Sequence, residues 1–290
     1  MKLDLNAFNL ATPFNNRIGI YLHPYAALIN HSCDSNAVFL FDGDTFFVKA
    51  LKPIHSGEQI FISYIDSTSP LAVRHKELSK SYHFNCECTK CVDDSHSPLS
   101  ALEPAEEQAE TLMGSDPDVN ALKSALSVLR KTSAWPIARE PYILNRLIDS
   151  LPSVKMFYSG FALATLRFLQ VDPVVFLHSH PTRQLHTWAF ADLCFDISQG
   201  VDVCAEDNFP LSKFKLNFCL LTWSLFSRIV EKMDNTCITQ RSKDKIRTKF
   251  HKVYSEYRRH SLDPATMHDE IECEWVKLGK VAKYAAQIEW

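Results

Sequence analysis

Asn30-His31-Ser32-Cys33-Asp34-Ser35-Asn36 is the stretch around which the rest of this sequence is organised. It is dense in polar, ligand-capable side chains, yet it lies between two apolar segments, residues 26–29 and 37–41. Buried polar groups need hydrogen-bond or metal partners, so the 30–36 stretch is predicted to bind a ligand or to lock a tight crossing of the backbone. A plain hydrogen-bonded turn is the alternative, because Asn, Asp and Ser favour turns.

Composition limits the classes of function. A chain of 290 residues can bury a sizeable core, and we expect two domains. The net charge of −3 favours neither nucleic acid nor a membrane surface as a partner. No uncharged apolar run approaches the ~18–20 residues of a membrane span. Nine cysteines, with no signal-peptide pattern after Met1, indicate a reducing compartment.

The periodicity of the sequence changes near residue 69. Before it, short strands are predicted at residues 17–23, 37–41, 45–50 and 58–64, with a hairpin through Asp42-Gly43-Asp44. After it, helices are predicted over residues 70–81, 118–131, 214–233, 242–260 and 265–288. The polar residues 93–100 are the predicted domain boundary. The second half therefore reads as a stack of antiparallel helices, without a recognisable repeat.

A cysteine segment, Cys86-x-Cys88-x-x-Cys91, supplies three thiols within six residues. A structural zinc site has four tetrahedral ligands, so a fourth ligand must come from elsewhere. Cys33 is the preferred candidate, and His83, His31 and His96 are alternatives. With Cys33, the metal would join the cysteine segment to the 30–36 stretch, and roughly 10–16 kcal/mol of zinc binding would order it. Free reduced thiols are the other interpretation.

Several other features have ordinary structural interpretations. Tyr64 ends a predicted strand, where a tyrosine is usually a packing residue. The basic residues of 241–252 surround an apolar stripe, which is typical of a solvated helix face. His178-x-His180, with His186, is a weak metal candidate because no carboxylate or cysteine lies nearby in the sequence.

Three motifs, in their order and spacing, resemble the C-terminal half of a SET domain and its post-SET zinc segment. They are the 30–36 stretch, Gly57-Glu58-Gln59-Ile60-x-Ile62-x-Tyr64, and Phe84-x-Cys86-x-Cys88-x-x-Cys91. Asn6-Ala7-Phe8 and residues 21–30 resemble the SET-and-MYND (SMYD-type) branch of that family. The resemblance covers residues 6–91 through motifs, and residues 98–290 through their helical character alone.

The resemblance implies an α+β chain in three parts. Residues 1–75 would be the C-terminal half of a SET domain, and residues 76–97 a post-SET zinc-binding segment. Residues 98–290 would form an all-α, TPR-like helical domain. A monomer in the nucleus or cytoplasm is expected, with no direct nucleic-acid partner and no membrane.

The same resemblance implies a lysine methyltransferase that uses S-adenosylmethionine and acts on a protein substrate, with histones among the candidates. Tyr64 would be the catalytic tyrosine, and Phe8 and Tyr64 would wall the lysine channel. Other residues would hold the cofactors. For S-adenosylmethionine these are Asn6, Asn30, His31, Tyr82 and Phe84, and for Zn²⁺ they are Cys33, Cys86, Cys88 and Cys91.

Two family features have no counterpart in this sequence. No G-x-G motif is present, and no Cys/His cluster precedes residue 30, where the glycine-rich strand and the MYND finger would lie. Ser35 also occupies a position where the family has proline. We therefore expect a chain that begins in the middle of the domain, with half of the cofactor pocket unaccounted for. The alternative function is a non-enzymatic scaffold that keeps the zinc-stapled segment and the helices.

Overall fold

The computed structural model describes residues 7–11, 17–42, 45–69, 71–96, 103–114, 117–131, 140–176, 180–233, 240–259 and 262–290. The chain divides into two compact units, Met1–Glu107 and Gln108–Trp290. All strands of the described residues lie in the first unit, and helices make up most of the second. The chain is thus mainly helical with a few short strands, as the expected α+β class requires in outline.

Strands pair two by two in the first unit. They are β1 (Ala7–Ala11), β2 (Arg17–Leu22), β3 (Asn30–His31), β4 (Ala37–Asp42), β5 (Thr45–Ala50) and β6 (Phe61–Ile62). The pairs β1–β2 and β4–β5 are antiparallel, whereas β3 and β6 are parallel. Asn30 lies opposite Phe61 and His31 opposite Ile62, so the 30–36 stretch begins inside a strand pair.

The predicted hairpin is confirmed, because β4 and β5 pair in continuous register from Ala37 opposite Ala50 to Asp42 opposite Thr45. The strand predicted over residues 58–64 is wrong in length, since only Phe61–Ile62 forms ladder bonds. Its apolar run reads as a strand, but the preceding backbone at Gln59 is bound by the Asn36 side chain instead of by a neighbouring strand.

An aromatic cluster forms the core beneath the hairpin. Side chains alternate between the two faces of a strand, and Phe39 and Phe41 of β4 face inward with Phe46 of β5. The Phe8 ring centroid lies 5.1 Å from that of Phe39, and the Tyr21 centroid 5.1 Å from that of Phe41. Offset and edge-on aromatic pairs of this kind stabilise a small core beyond the area that they bury.

Two helices follow the strands in the first unit, α1 (Leu71–Tyr82) and α2 (Thr89–Ser95). The buried residues of α1 are Arg74 and Leu78, four positions apart on one face of the helix. Cys91 is the buried residue of α2. A helix spacing that should bury two apolar groups therefore buries one leucine and one cation.

Nine further α-helices follow within the described residues. They are α3 (Glu103–Met113), α4 (Val119–Arg130), α5 (Glu140–Ser150), α6 (Phe157–Leu166), α7 (Asp172–Val175), α8 (Pro181–Gln199), α9 (Phe218–Lys232), α10 (Gln240–Arg259) and α11 (His268–Gln287). Their apolar faces form one core, in which Leu126, Phe161, Phe226 and Leu278 are fully buried. No helix of the described residues is long and apolar enough to cross a membrane.

Capping residues set the helix starts. Asp118 accepts a hydrogen bond from the Ala121 N–H at 2.7 Å and begins α4, as predicted. Asn217 accepts from the Leu220 N–H at 3.1 Å and begins α9, so the predicted start at residue 214 is wrong. The last helix likewise begins at His268 and not at residue 265, because Pro264–Thr266 forms a separate 3₁₀ turn.

The histidine motif of the second unit has structural partners. His180 caps α8, with its Nδ1 accepting from the Thr182 N–H at 3.2 Å. His186 Nδ1 lies 2.9 Å from the buried Asp172 carboxylate, a partner that the sequence spacing did not reveal. His178 lies outside the described residues. Capping and ion pairing account for the two described histidines without a metal.

Candidate metal and cofactor site

Four cysteine sulfurs meet in the first unit. The Sγ atoms of Cys33, Cys86, Cys88 and Cys91 all lie within 4.8 Å of one another, and Cys33 Sγ is 3.6 Å from Cys91 Sγ. Tetrahedral zinc with Zn–S bonds of about 2.3 Å separates its sulfurs by about 3.8 Å. The spacing therefore suits Zn²⁺. This is the only such group of potential metal ligands in the part of the chain that is described.

Burial makes free thiolates costly at this cysteine cluster. Cys33 and Cys91 are only 4% and 3% exposed, and burial raises the pKa of both thiols. Burial also acts on Cys88, but hydrogen bonds, the largest from the Cys91 backbone, outweigh it and lower the pKa of Cys88 to about 6. Cys88 is thus ready to bind metal as a thiolate, and a divalent cation would stabilise the thiolate forms of Cys33 and Cys91.

Arg74 is a buried cation beside the cluster. Its guanidinium Nη2 lies 3.6 Å from Cys91 Sγ and 2.7 Å from Asp94 Oδ2, and Nη1 donates to the Ser69 carbonyl. Burial acts to lower the pKa of Arg74, but the hydrogen bonds to Cys91 and Asp94 outweigh it and raise that pKa. Arg74 was not predicted from the sequence, where its one signal is an arginine in the apolar stripe of α1, four residues before Leu78.

His31 connects the cluster to Tyr64. Its Nδ1 accepts from the Tyr64 N–H at 3.0 Å, so Nε2 carries the ring proton and donates to Cys33 Sγ at 3.3 Å. Burial, followed by the positive charge of Arg74, lowers the pKa of His31 to about 4, which keeps the ring neutral. His31 therefore contacts the cluster as a hydrogen-bond donor and lies outside the group of four sulfurs.

The other two histidines considered as zinc ligands also lie outside that group. His96 Nδ1 lies 2.8 Å from the Val92 carbonyl oxygen, where the ring helps to end α2. His83 has a positive φ of 62° and connects α1 to the cysteine segment. Among the alternatives left open by the sequence, Cys33 is the one that the geometry brings to the other cysteines.

Tyr64 lies where the two cores of the first unit meet. Its ring centroid is 5.2 Å from that of His31 and 4.9 Å from that of Tyr82. It packs against both the aromatic cluster that contains Phe8 and the cysteine cluster. Its hydroxyl donates to the Ile29 carbonyl at 2.6 Å, and burial raises its pKa. The hydroxyl is thus protonated and fixed immediately before the 30–36 stretch.

The Asn36 side chain holds the backbone that leads into β6. Its Nδ2 donates to the Gln59 carbonyl at 2.9 Å, and its Oδ1 accepts from the Phe61 N–H at 2.8 Å. The Ser32 N–H also donates to the Ile62 carbonyl at 3.0 Å. These bonds replace a longer strand ladder, and they hold the backbone that leads to Tyr64.

The substitution Asn36→Ala is expected to destabilise the first unit by about 1–3 kcal/mol, because it leaves two backbone groups without their partner. Urea unfolding of the metal-loaded chain would measure the loss. The matched control is Ser35→Ala, one residue earlier, which should lie close to the unchanged protein. Equal midpoints for both variants would contradict the assigned role of Asn36.

The other residues predicted to bind the cofactor or to line the lysine channel differ in their exposure. Phe84 is 36% exposed, with its ring centroid 5.8 Å from that of His31. Asn30 is exposed in β3, and Phe8 is buried among Phe39 and Phe46. Asn6 lies outside the described residues. The structure thus brings His31, Tyr64, Tyr82 and Phe84 into one chain of ring contacts.

Comparison with known proteins supplies the family context. Residues 8–65 match the SET domain. The match contains the aromatic cluster, the 30–36 stretch and Tyr64, and it ends before the cysteine segment. The resemblance to SET-and-MYND proteins, inferred from the motifs, is confirmed by relatives that carry this domain in their names.

Three relatives illustrate the extent of the match. "SET domain and MYND-type zinc finger protein 6" of Schizosaccharomyces pombe is 40% identical over 93 residues, 32% of this chain and 19% of the relative. "Histone-lysine N-methyltransferase SMYD3" of Mus musculus is 26% identical over 161 residues, 54% of this chain and 35% of the relative. "N-lysine methyltransferase SMYD2" of Sus scrofa is 37% identical over 91 residues, 31% of this chain and 21% of the relative. The chain thus spans between a fifth and about a third of the length of these SET proteins.

Proposed function

We propose that this chain takes part in S-adenosylmethionine-dependent methylation of lysine in a protein substrate. The observation that carries the proposal is the placement of Tyr64, whose hydroxyl is held by the Ile29 carbonyl directly beside Asn30 and His31. The SET match and the relatives named as lysine methyltransferases support the same reaction. The name of the mouse relative makes a histone the first substrate to test.

Methyl transfer to lysine is an in-line displacement that requires alignment more than acid–base catalysis. Bound S-adenosylmethionine would supply a methyl group on a positively charged sulfur. Proximity and orientation can contribute roughly 7–11 kcal/mol to such a reaction. A rigid pocket wall is therefore the main requirement, and the two cores that pack against Tyr64 would support one.

The Tyr64 hydroxyl has a specific role in this scheme. The hydroxyl donates its hydrogen bond to the Ile29 carbonyl, so the lone pairs of the hydroxyl oxygen remain available. An oxygen lone pair attracts the partly positive methyl hydrogens and so orients the methyl group. We assign Phe8 and Tyr64 to the wall of the lysine channel, where burial favours the neutral amine by desolvation, and aromatic faces stabilise the positive charge that the amine acquires.

The residues beside Tyr64 suit an adenosine-containing cofactor. Asn30 offers an exposed amide, and Phe84 offers a partly exposed aromatic face next to His31. Tyr82 also packs against Tyr64. We propose that these residues hold S-adenosylmethionine, with Asn6 in the same pocket, and that Zn²⁺ at the cysteine cluster fixes the segment that carries Tyr82 and Phe84.

The expected division of the chain belongs to the same proposal. Residues 1–75 would act as the C-terminal half of the SET domain, residues 76–97 as the post-SET segment, and residues 98–290 as a TPR-like domain. A monomer in the nucleus or cytoplasm fits a protein of this kind. The burial of Cys86 and Cys91 supports the assignment of residues 76–97 as a post-SET segment.

Calorimetric titration of the zinc-loaded chain with S-adenosylmethionine tests the proposal. We expect binding in the micromolar range, followed by transfer of radiolabelled methyl groups to lysine-containing basic peptides and histones. Absence of binding, with zinc present and unfolding cooperative, would overturn the enzymatic proposal. The chain would then be a non-enzymatic interaction scaffold in which zinc joins the cysteine segment to the 30–36 stretch.

A further inference from the structure

We propose that Arg74, held in place by Asp94, balances the charge of the cysteine cluster and tightens its hold on zinc. The inference rests on the zinc site of the proposed function, although it does not depend on methyl transfer. Arg74 would be a positioning residue, because it acts on the metal through the Cys91 sulfur. The supporting observations are its burial, its hydrogen bonds and the charge of the site.

The burial of Arg74 requires an explanation. Its side chain is only 2% exposed, whereas that of Asp94 is 31% exposed. A charged side chain is almost never fully buried unless it is paired. A simple ion pair with Asp94 could form nearer the surface, where Lys90 meets the same carboxylate at 3.6 Å. The guanidinium instead reaches inward, to the Cys91 sulfur.

The geometry of the guanidinium suits a thiolate ligand. Nη2 faces both Cys91 Sγ at 3.6 Å and Asp94 Oδ2 at 2.7 Å, and Nη1 binds the Ser69 carbonyl. The planar fork of arginine can hold a sulfur and two oxygens at once, which the single ammonium of lysine does less well. The Ser69 contact also ties α1 to the loop that follows Tyr64.

Charge balance gives Arg74 a reason to lie here. Four thiolates around Zn²⁺ carry a net charge of −2, and such a charge is costly to bury without a nearby cation. His31 donates to Cys33 as a neutral ring, so it brings no charge. Arg74 supplies a full positive charge at Cys91. Partners of metal ligands commonly change metal affinity by about 10–100-fold when they are removed.

Zinc competition against a chromophoric chelator tests this role with the full chain. We expect Arg74→Gln to weaken zinc binding by about 10–100-fold, and Arg74→Lys to retain part of the affinity. Asp94→Asn, which leaves Arg74 present but unanchored, should fall between Arg74→Gln and the unchanged chain. The matched control is Lys80→Gln, which removes one exposed positive charge from the same helix and should bind zinc normally.

Cobalt substitution provides a readout that a purely structural role would not alter. Loss of a hydrogen bond to Cys91 makes its thiolate a better electron donor, so the thiolate-to-cobalt charge-transfer band should shift to lower energy in Arg74→Gln and Asp94→Asn. Unchanged zinc affinity and an unchanged cobalt spectrum in a folded Arg74→Gln chain would overturn the proposal.

A second variant keeps the test decisive if Arg74→Gln does not fold. Asp94→Asn alters a partly exposed side chain, and normal zinc affinity in this variant would then overturn the proposal. An unchanged chain that binds no zinc would overturn both this inference and the metal role of the cluster. The methyl-transfer assay is independent of these zinc measurements. Failure of the Arg74 inference can therefore be distinguished from failure of the proposed methyltransferase function.

Discussion

Removal of zinc is expected to unfold the first unit, and Cys91→Ser is expected to have nearly the same effect. The described part of this unit has a small apolar core, and its second core consists of Cys33, Cys86 and Cys91 with Leu78. Zinc binding of roughly 10–16 kcal/mol equals or exceeds the whole stability of a typical domain. With zinc at the cysteine cluster, as proposed, the metal would decide whether the 30–36 stretch and the cysteine segment are ordered.

Hydrogen exchange measured by mass spectrometry would locate this effect. With chelator, we expect the amides of β3, β6 and α1 to lose protection, and the helices of the second unit to keep theirs. Cys273→Ser is the matched control, because Cys273 is an exposed free thiol. Retained protection at β3 and β6 after zinc removal would show that the metal is not needed for the fold.

The second large effect is expected from Tyr64→Phe, which should lower kcat for methyl transfer by about 10²–10³-fold, as for the loss of other oriented catalytic hydrogen-bonding groups. The ring and its contacts with His31 and Tyr82 remain, so the fold, the zinc content and the affinity for S-adenosylmethionine should not change. The loss arises because the oriented hydroxyl oxygen is gone, and with it the bond to the Ile29 carbonyl.

Radiolabelled methyl transfer and calorimetry on the same preparations would separate these quantities. Tyr25→Phe serves as the control, because it removes a hydroxyl from a residue that is 78% exposed in the same unit. If Tyr64→Phe retained full activity, or if it lost only cofactor affinity, the catalytic role would have to be assigned elsewhere.

Local spacing in the sequence predicted the parts of the site that neighbouring residues determine. Cys86, Cys88 and Cys91 share one short segment, and the hairpin follows from strand patterns on both sides of Asp42-Gly43-Asp44. Cys33 was the harder inference, since its sulfur comes from a separate segment. It was possible because the surrounding residues form a ligand-rich motif.

Hydrogen-bond direction was not predictable from the sequence. The two ring nitrogens of His31 bind groups on different segments, and only the fold shows that one faces Tyr64 and the other Cys33. The inward position of Arg74 was not predicted, because helical spacing alone does not say that an arginine points inward. The strand over residues 58–64 was predicted too long for a similar reason, as an apolar run carries no information about which backbone groups find a strand partner.

The two-residue pair of β3 and β6 has a consequence for insertions and deletions. Asn36 binds the Gln59 carbonyl and the Phe61 N–H, the two backbone groups that flank Ile60. One residue added or removed between Gln59 and Phe61 would break this match, and a one-residue slip of β6 against β3 would turn Ile62 out of the core. Residues 51–58 form a loop that can absorb a change in length, so variants of the protein should tolerate insertions there far better than at Ile60.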